Sequence, residues 1–168
     1  MNRKSKFAGV IALLICSIAY VAYASYPTPP SLESEVFVQG GNSFGSTGIY
    51  ARRWTNVEVN VGSAITYTDD ATNGGYFTIN ADGLYSMTAT DYRSDTADGF
   101  GIAVNAPGSS PIPTTSAQLC SISTNVSLTS SCSATAYLNS GDVVRELWGV
   151  GNATDISASS RFLIVRVK

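Results

Sequence analysis

Apolar and polar residues alternate in short runs over most of the chain. Around Tyr85, every second side chain is apolar through Met87 and Ala89, and the side chains between them are Ser or Thr. The segment from Cys132 to Leu138 repeats this pattern. A period of two is typical of a β-strand with one buried face, because successive side chains point to opposite faces. No long segment beyond the N-terminal apolar run has the period of a helix, so we predict an all-β domain.

Turn-forming sequences separate these runs. The sequences NADG, DYRSDTADG, NSGD and GVGNATD are rich in Gly, Asn and Asp, which favour turns. Turns that recur between short strands indicate a sandwich, a jelly roll or a barrel. Within AYLNSGDVVREL, we interpret residues 139–142 as the turn between two strands. Asp142 is then an acceptor for turn amides and not a catalytic acid, and Gly141 provides the backbone freedom.

The last apolar run differs from the others because both of its faces are apolar. In RFLIVRV, Phe162 and Ile164 lie on one face, and Leu163, Val165 and Val167 lie on the other. One face of a strand in a small sandwich meets the core, so the other face needs a second cover. A second subunit is the simplest cover, and we assign these five residues to a predicted subunit interface. A tail packed under a loop is the alternative.

The N-terminal segment combines three basic residues, an apolar run and the small-x-small sequence Ala22-Tyr23-Ala24. This arrangement predicts a signal peptide over residues 1–24 and a secreted or cell-surface location. An uncleaved anchor is the alternative, in which case residues 7–24 would contact the membrane. We expect a Pro- and Ser-rich linker over residues 25–34 and a single domain over residues 35–168.

Composition narrows the classes of function. The net charge of -2 provides no basic surface for nucleic acid. Histidine is absent, which removes the commonest general base and the commonest metal ligand. No nucleophile elbow and no P-loop appear in the sequence. We therefore expect a protein that is not an enzyme and that requires no cofactor.

Two cysteines remain once Cys16 is removed with the signal peptide. Cys120 and Cys132 lie in an exported domain, where such pairs usually form disulfides. We predict a disulfide between them, with a hairpin that turns around residues 125–127 and places one cysteine opposite the other. Two buried free thiols are the alternative.

Asp91, Asp95 and Asp98 are weak candidate calcium ligands, because they cluster in DYRSDTADG and oxygen ligands suit Ca²⁺. A solvated loop is the alternative, since the spacing differs from that of an EF-hand. Trp54 and Trp148 are candidate ligand contacts, because aromatic side chains form binding hot spots and stack on sugars. Packing in the core or in a subunit interface is the alternative for Trp148.

Three blocks of the sequence together resemble the C1q-like branch of the C1q/TNF superfamily. GGYFTINADGLYSM is similar to the family's Phe followed by Gly-x-Tyr-x-aromatic, with Phe77, Gly83 and Tyr85 in these places and Met87 where the family prefers an aromatic residue. AYLNSGDVVREL is similar to its later L-x-x-GD-x-V block, and SSRFLIVRV resembles its closing Ser-x-Phe strand. No Gly-x-y collagen-like stalk precedes the domain. The resemblance implies a jelly-roll β-sandwich of about ten antiparallel strands that forms homotrimers around an inner sheet.

These observations predict an exported, non-catalytic binding or adhesion module that acts as a homotrimeric head on a surface or secreted assembly. Its expected partners are copies of itself and an extracellular protein or glycan ligand, with no nucleic acid. A structural fibre-tip or coat subunit is one alternative. A secreted glycan-binding or glycan-acting protein is the other.

Overall fold

The computed structural model describes only part of the chain, namely residues 34–40, 50–92, 99–111, 113, 115–122, 129–149 and 160–167. The segment predicted to be a signal peptide or anchor lies outside the described residues. Among the residues that the structure describes, no helix has the length and apolar character needed to cross a membrane. Ser34 belongs to the first strand, so the predicted linker extends one residue too far.

The described residues form ten β-strands in two five-stranded sheets, which confirms the predicted jelly-roll sandwich. In chain order the strands are β1 (Ser34–Gln39), β2 (Asn56–Val61), β3 (Ile65–Thr68), β4 (Tyr76–Ile79), β5 (Gly83–Tyr92), β6 (Phe100–Val104), β7 (Gln118–Ile122), β8 (Thr129–Leu138), β9 (Val143–Trp148) and β10 (Arg161–Val167). The first sheet has the order β2-β1-β10-β5-β8, and the second has the order β3-β4-β9-β6-β7. The closing strand β10 is therefore the central strand of the first sheet.

The hydrophobic core lies between the two sheets. Tyr85 and Met87 of β5 are buried there, as their alternation with Ser and Thr predicts. The ring of Phe162 stacks on that of Phe77, with the centroids 4.6 Å apart, and meets Trp54 edge-on at 5.4 Å. Burial of a large apolar side chain stabilises a fold by roughly 1.5–3 kcal/mol. This aromatic group thus joins the first sheet to the second.

The turn at residues 139–142 joins β8 to β9, as the sequence predicts, and carries the chain from the first sheet to the second. Gly141 has a φ of 96°, a conformation that residues with a side chain rarely adopt. Asp142 accepts hydrogen bonds from the side-chain amide of Asn105 and from the backbone amide of Asn139, each at 2.8 Å. The bond from Asn105 is the main cause that lowers the pKa of Asp142.

Cys120 and Cys132 form the predicted disulfide, with their Cα atoms 6.1 Å apart. The prediction that a hairpin brings the two cysteines together is wrong. β7 pairs with β6 in the second sheet, whereas β8 pairs with β5 in the first. Both β7 and β8 are the last strands of their sheets, so the disulfide links two sheet edges across the sandwich. A cross-link that closes a loop of this length contributes about 3 kcal/mol of stability.

Candidate functional site

Four polar side chains meet inside the core, at the end of the sandwich where β5 ends and β10 begins. We call Arg52, Asp91, Glu146 and Ser160 the polar cluster, and each has at most 1% of its surface exposed. The guanidinium of Arg52 forms an ion pair with Asp91, and the Ser160 hydroxyl donates a hydrogen bond to the same carboxylate oxygen. Arg52 also lies over the Trp148 ring, 5.1 Å from its centroid.

The sequence contains a signal for this cluster that the pattern analysis missed. Glu146 alternates with Trp148 on β9, and Ser160 precedes Phe162 by two residues, so both polar side chains are in phase with core-facing residues. Asp91 follows Ala89 on the buried face of β5 in the same way. Polar residues at core-facing positions require partners, because burying an unpaired polar or charged group is costly.

One cation in the polar cluster faces two carboxyl groups. Burial is the main cause that raises the pKa of Glu146 well above its ordinary value. The charge of Asp91 raises this pKa further, and the charge of Arg52 opposes both effects. A raised pKa favours the protonated form of Glu146, whose O–H is then a hydrogen-bond donor beside Asp91.

The polar cluster corrects the calcium prediction for Asp91. Its carboxylate is fully buried and bonded to Arg52 and Ser160, so it does not face a cation site at the surface. Asp95 and Asp98 lie outside the described residues. Within the described segments, no group of three or more Asp, Glu, Cys or His side chains could hold a metal ion.

The prediction that Trp54 and Trp148 contact a ligand is wrong. Trp54 is 0% exposed and Trp148 is 1% exposed, so neither indole can touch a partner at the surface. The hydroxyl of Tyr67 fixes the backbone of Trp54, because it donates to the Trp54 carbonyl at 2.6 Å and accepts from its amide at 3.1 Å. Both tryptophans pack in the hydrophobic core.

The face of the first sheet that points away from the core is the candidate assembly surface. Phe162 and Ile164 are 0% exposed within one chain, so the interface prediction is wrong for these two side chains. Leu163 and Val165 are half-buried on the outward face, and Val167 is 39% exposed. The trimer interface remains a prediction for these three residues.

Neighbouring strands extend this outward apolar surface. In the register of the sheet, Phe37 of β1 lies between Leu163 of β10 and Val59 of β2. One row further along, Val61 is 55% exposed and lies in the row of Val165. We call Phe37, Val59, Val61, Leu163 and Val165 the outer apolar patch. Glu35 of β1 lies between Val165 and Val61 in that row, so one acidic side chain interrupts the patch. Clustered exposed apolar side chains mark interaction sites.

A groove borders the outer apolar patch on the same face. Its volume is about 460 Å³, and its lining includes Phe37, Leu163 and Arg161 on one side and hydroxyl side chains of β5 and β8 on the other. Among these hydroxyls, Thr90 Oγ1 lies 2.8 Å from Ser131 Oγ. The groove thus combines apolar, hydroxyl and cationic groups.

No protein-family model and no curated protein sequence matches the chain. Solved structures are similar to it. The globular domain of zebrafish complement 1qA protein matches with a TM-score of 0.55 and 15% identity, over 81% of this chain and 98% of that chain. The murine APRIL structure at pH 5.0 matches with a TM-score of 0.54 and 15% identity, over 79% of this chain and 98% of that chain.

The fold is a C1q/TNF-like jelly roll. Rabbit GITRL matches this jelly roll with a TM-score of 0.50 and 11% identity, over 80% of this chain and 94% of that chain. Four residues of the blocks that carry the sequence resemblance are core residues, since Phe77, Tyr85, Met87 and Phe162 are all buried. Gly141 of the second block lies at an exposed turn. The resemblance in sequence thus marks core packing and one turn of the jelly roll.

Proposed function

We propose that this chain is an exported, non-catalytic binding or adhesion head that assembles as a homotrimer through the outer face of its first sheet. The observation that carries the proposal is the outer apolar patch, in which Val61 is exposed and the other four side chains are only half-buried within one chain. The patch is centred on β1 and β10, and β10 is the middle strand of the sheet. Apolar side chains at the middle of a face favour a covering surface of similar size.

A second copy of the chain is the cover that the sequence itself favours. The closing strand is apolar on both faces, and its inward face already fills the core through Phe162 and Ile164. A stable interface buries about 800 Å² on each partner, which corresponds to roughly 20–30 residues a side. The outward face of a five-stranded sheet offers a surface of that order.

Two further observations support a non-catalytic, exported protein. The carboxyl groups that come together, Asp91 and Glu146, are sealed in the core, where a substrate cannot reach them. The disulfide between Cys120 and Cys132 is of a kind that persists in oxidising compartments outside the cytosol.

The mass of the protein in solution tests the assembly. Light scattering on the purified domain at micromolar concentration is expected to give three times the subunit mass. Val165→Asp places a charge in the outer apolar patch and is expected to give the monomer mass, because burying an unpaired carboxylate opposes assembly.

Val57→Asp is the matched control, because Val57 is 48% exposed and lies opposite core-facing Val38 instead of within the patch. This variant should keep the mass of the unmodified protein. A wild-type monomer, or a Val165→Asp variant that remains trimeric, would contradict the proposed assembly.

A further inference from the structure

We propose that the groove on the first sheet receives a neighbouring copy of this chain, which places its Glu35 carboxylate beside Arg161. This inference rests on the proposed assembly and deepens it, because it names the contact that sets the register between subunits. The outer apolar patch and the groove then belong to one interface, to which one copy contributes Glu35 and the next copy contributes Arg161.

Glu35 is an acidic side chain in apolar surroundings. It lies between Val165 of β10 and Val61 of β2 on the outward face, and it is half-buried within one chain. Its carboxylate forms no hydrogen bond or ion pair with any described residue. Burying a carboxylate that has no partner is costly. A subunit that covers the outer apolar patch therefore has to bring a cation to Glu35.

Arg161 is the cation that the same face offers. Its side chain is exposed at the start of β10, opposite Gln39 of β1, and it forms no hydrogen bond or ion pair with any described residue. Gln39 lies four residues from Glu35, which is about 13 Å along the strand at 3.3 Å per residue. The acid and the cation are thus separate within one chain, and each remains available to another copy.

The other exposed charges of the first sheet are few. Glu58 has no partner residue in the register of β1 and β2 and is exposed on this edge strand. Arg166 is in phase with core-facing Ile164 and donates to a backbone carbonyl at 2.6 Å. Among the described residues of this sheet, Arg161 is therefore the one cation on the outward face, and Glu58 is the exposed acid that competes with Glu35.

The groove provides the rest of a carboxylate site. Thr90 and Ser131 line it together with Arg161, and the oxygens of these two hydroxyls lie 2.8 Å apart. Such a pair uses one proton internally, so one O–H donor remains for an entering carboxylate. The guanidinium can hold the carboxylate through two parallel hydrogen bonds. Phe37 and Leu163 belong to both the groove and the outer apolar patch, so the two surfaces are continuous.

One acid and one cation on the same face specify a directional contact. In a closed ring, each subunit offers Glu35 to one neighbour and Arg161 to the other, so a homotrimer contains three equivalent pairs. Registers that bring like charges together are disfavoured, because like-charge contacts across an interface cost free energy. The charge pair thus selects the register, and the outer apolar patch supplies the buried apolar area.

Charge reversal tests the contact, with light scattering over a concentration series as the readout. Glu35→Arg places two cations together, and Arg161→Glu places two acids together. Each single variant is expected to raise the midpoint concentration of assembly by at least about tenfold. The double variant Glu35→Arg/Arg161→Glu restores opposite charges, so its midpoint should return toward that of the wild type. Single variants that assemble like the wild type, or a double variant that assembles no better than they do, would overturn the proposal.

Each single variant has a matched control. Glu58→Arg reverses an exposed acid of the same sheet, and Arg53→Glu reverses an arginine that is paired with Asp69 away from the groove. Both controls should keep the midpoint of the wild type. If Glu58→Arg, and not Glu35→Arg, restored the assembly of Arg161→Glu, the assignment of Glu35 would be wrong.

The same measurements separate this inference from the proposed trimer. A wild-type dimer whose assembly follows the charges would retain the contact and remove the trimer. A wild-type trimer that is insensitive to all the charge reversals would retain the trimer and remove the contact. A wild-type monomer would contradict both.

Discussion

Each end of the sandwich has an aspartate near a crossing between the sheets, and the surroundings of the two carboxylates differ. β5 begins at Gly83, opposite Leu138, and its Asp91 lies opposite Ser130, so the corner with Asp142 and the polar cluster with Asp91 are at opposite ends. At the corner, which is the turn at residues 139–142, the Asp142 carboxylate accepts hydrogen bonds from the side-chain amide of Asn105 and the backbone amide of Asn139. In the polar cluster, the carboxylate is inside the core and is paired with a guanidinium.

This difference gives the two ends opposite dependences on pH. The lowered pKa of Asp142 stabilises the fold above the ordinary carboxyl range, and this contribution is lost as pH falls through the folded-state pKa. The raised pKa of Glu146 acts in the other direction. Its contribution is fully present below the unfolded value of about 4.3 and is lost as pH rises toward the folded-state pKa. Acid therefore reduces the contribution of the corner to the free energy of unfolding and increases that of the polar cluster.

The largest effect is expected from breaking the charge pair of the polar cluster. Arg52→Met keeps much of the side-chain volume but leaves Asp91 in the core without its cation. Removing one partner of a buried ion pair costs about 3–5 kcal/mol. Urea denaturation at neutral pH measures this loss.

Arg53→Met is the matched control, because the adjacent arginine pairs with Asp69 at the surface at 2.7 Å. An exposed pair contributes about 0–1 kcal/mol, so the control should stay close to the wild type. The double variant Arg52→Met/Asp91→Leu should recover much of the lost stability, since it removes both charges together. If Arg52→Met stayed within about 1 kcal/mol of the wild type, the polar cluster would not hold this end of the sandwich.

An intermediate effect is expected from Glu146→Gln, which keeps an amide donor for Asp91 and removes the titrating group. The wild type should lose stability relative to this variant as pH rises above about 4.3, with a slope of at most about 1.4 kcal/mol per pH unit for one proton. Unfolding free energies between pH 4 and 8 measure the difference. Parallel curves for the two proteins would show that Glu146 does not carry the proton.

The fold was predictable because its determinants are local. Alternation around Tyr85 and Met87 identifies a half-buried strand, and Gly141 with Asp142 identifies the turn. The pairing of Cys120 with Cys132 was also predictable, since an exported domain with two cysteines usually oxidises them. Their placement was not, because strand order decides whether two neighbouring strands share a sheet.

The sites were less predictable because they depend on which face each side chain occupies in the folded sandwich. Trp54 and Trp148 are large and amphipathic, so sequence does not distinguish a core role from a surface role. Glu146 was recognisable from its phase with Val144 and Trp148 on β9. Arg52 lies outside the ten strands and has no periodic neighbours, and only the tertiary structure brings it to Asp91.

The smallest expected effect is at the corner. Asp142→Asn removes the negative charge and one of the two acceptor positions that hold Asn105 and Asn139. A hydrogen bond at an exposed turn contributes about 1 kcal/mol, so the variant should lose roughly this amount at neutral pH. Because the wild-type carboxyl becomes protonated in acid, the two proteins should converge as pH falls through the folded-state pKa of Asp142. A constant difference between pH 2 and 7 would show that the charge of Asp142 does not stabilise the turn, whereas convergence would establish that acid weakens the corner while it favours the polar cluster.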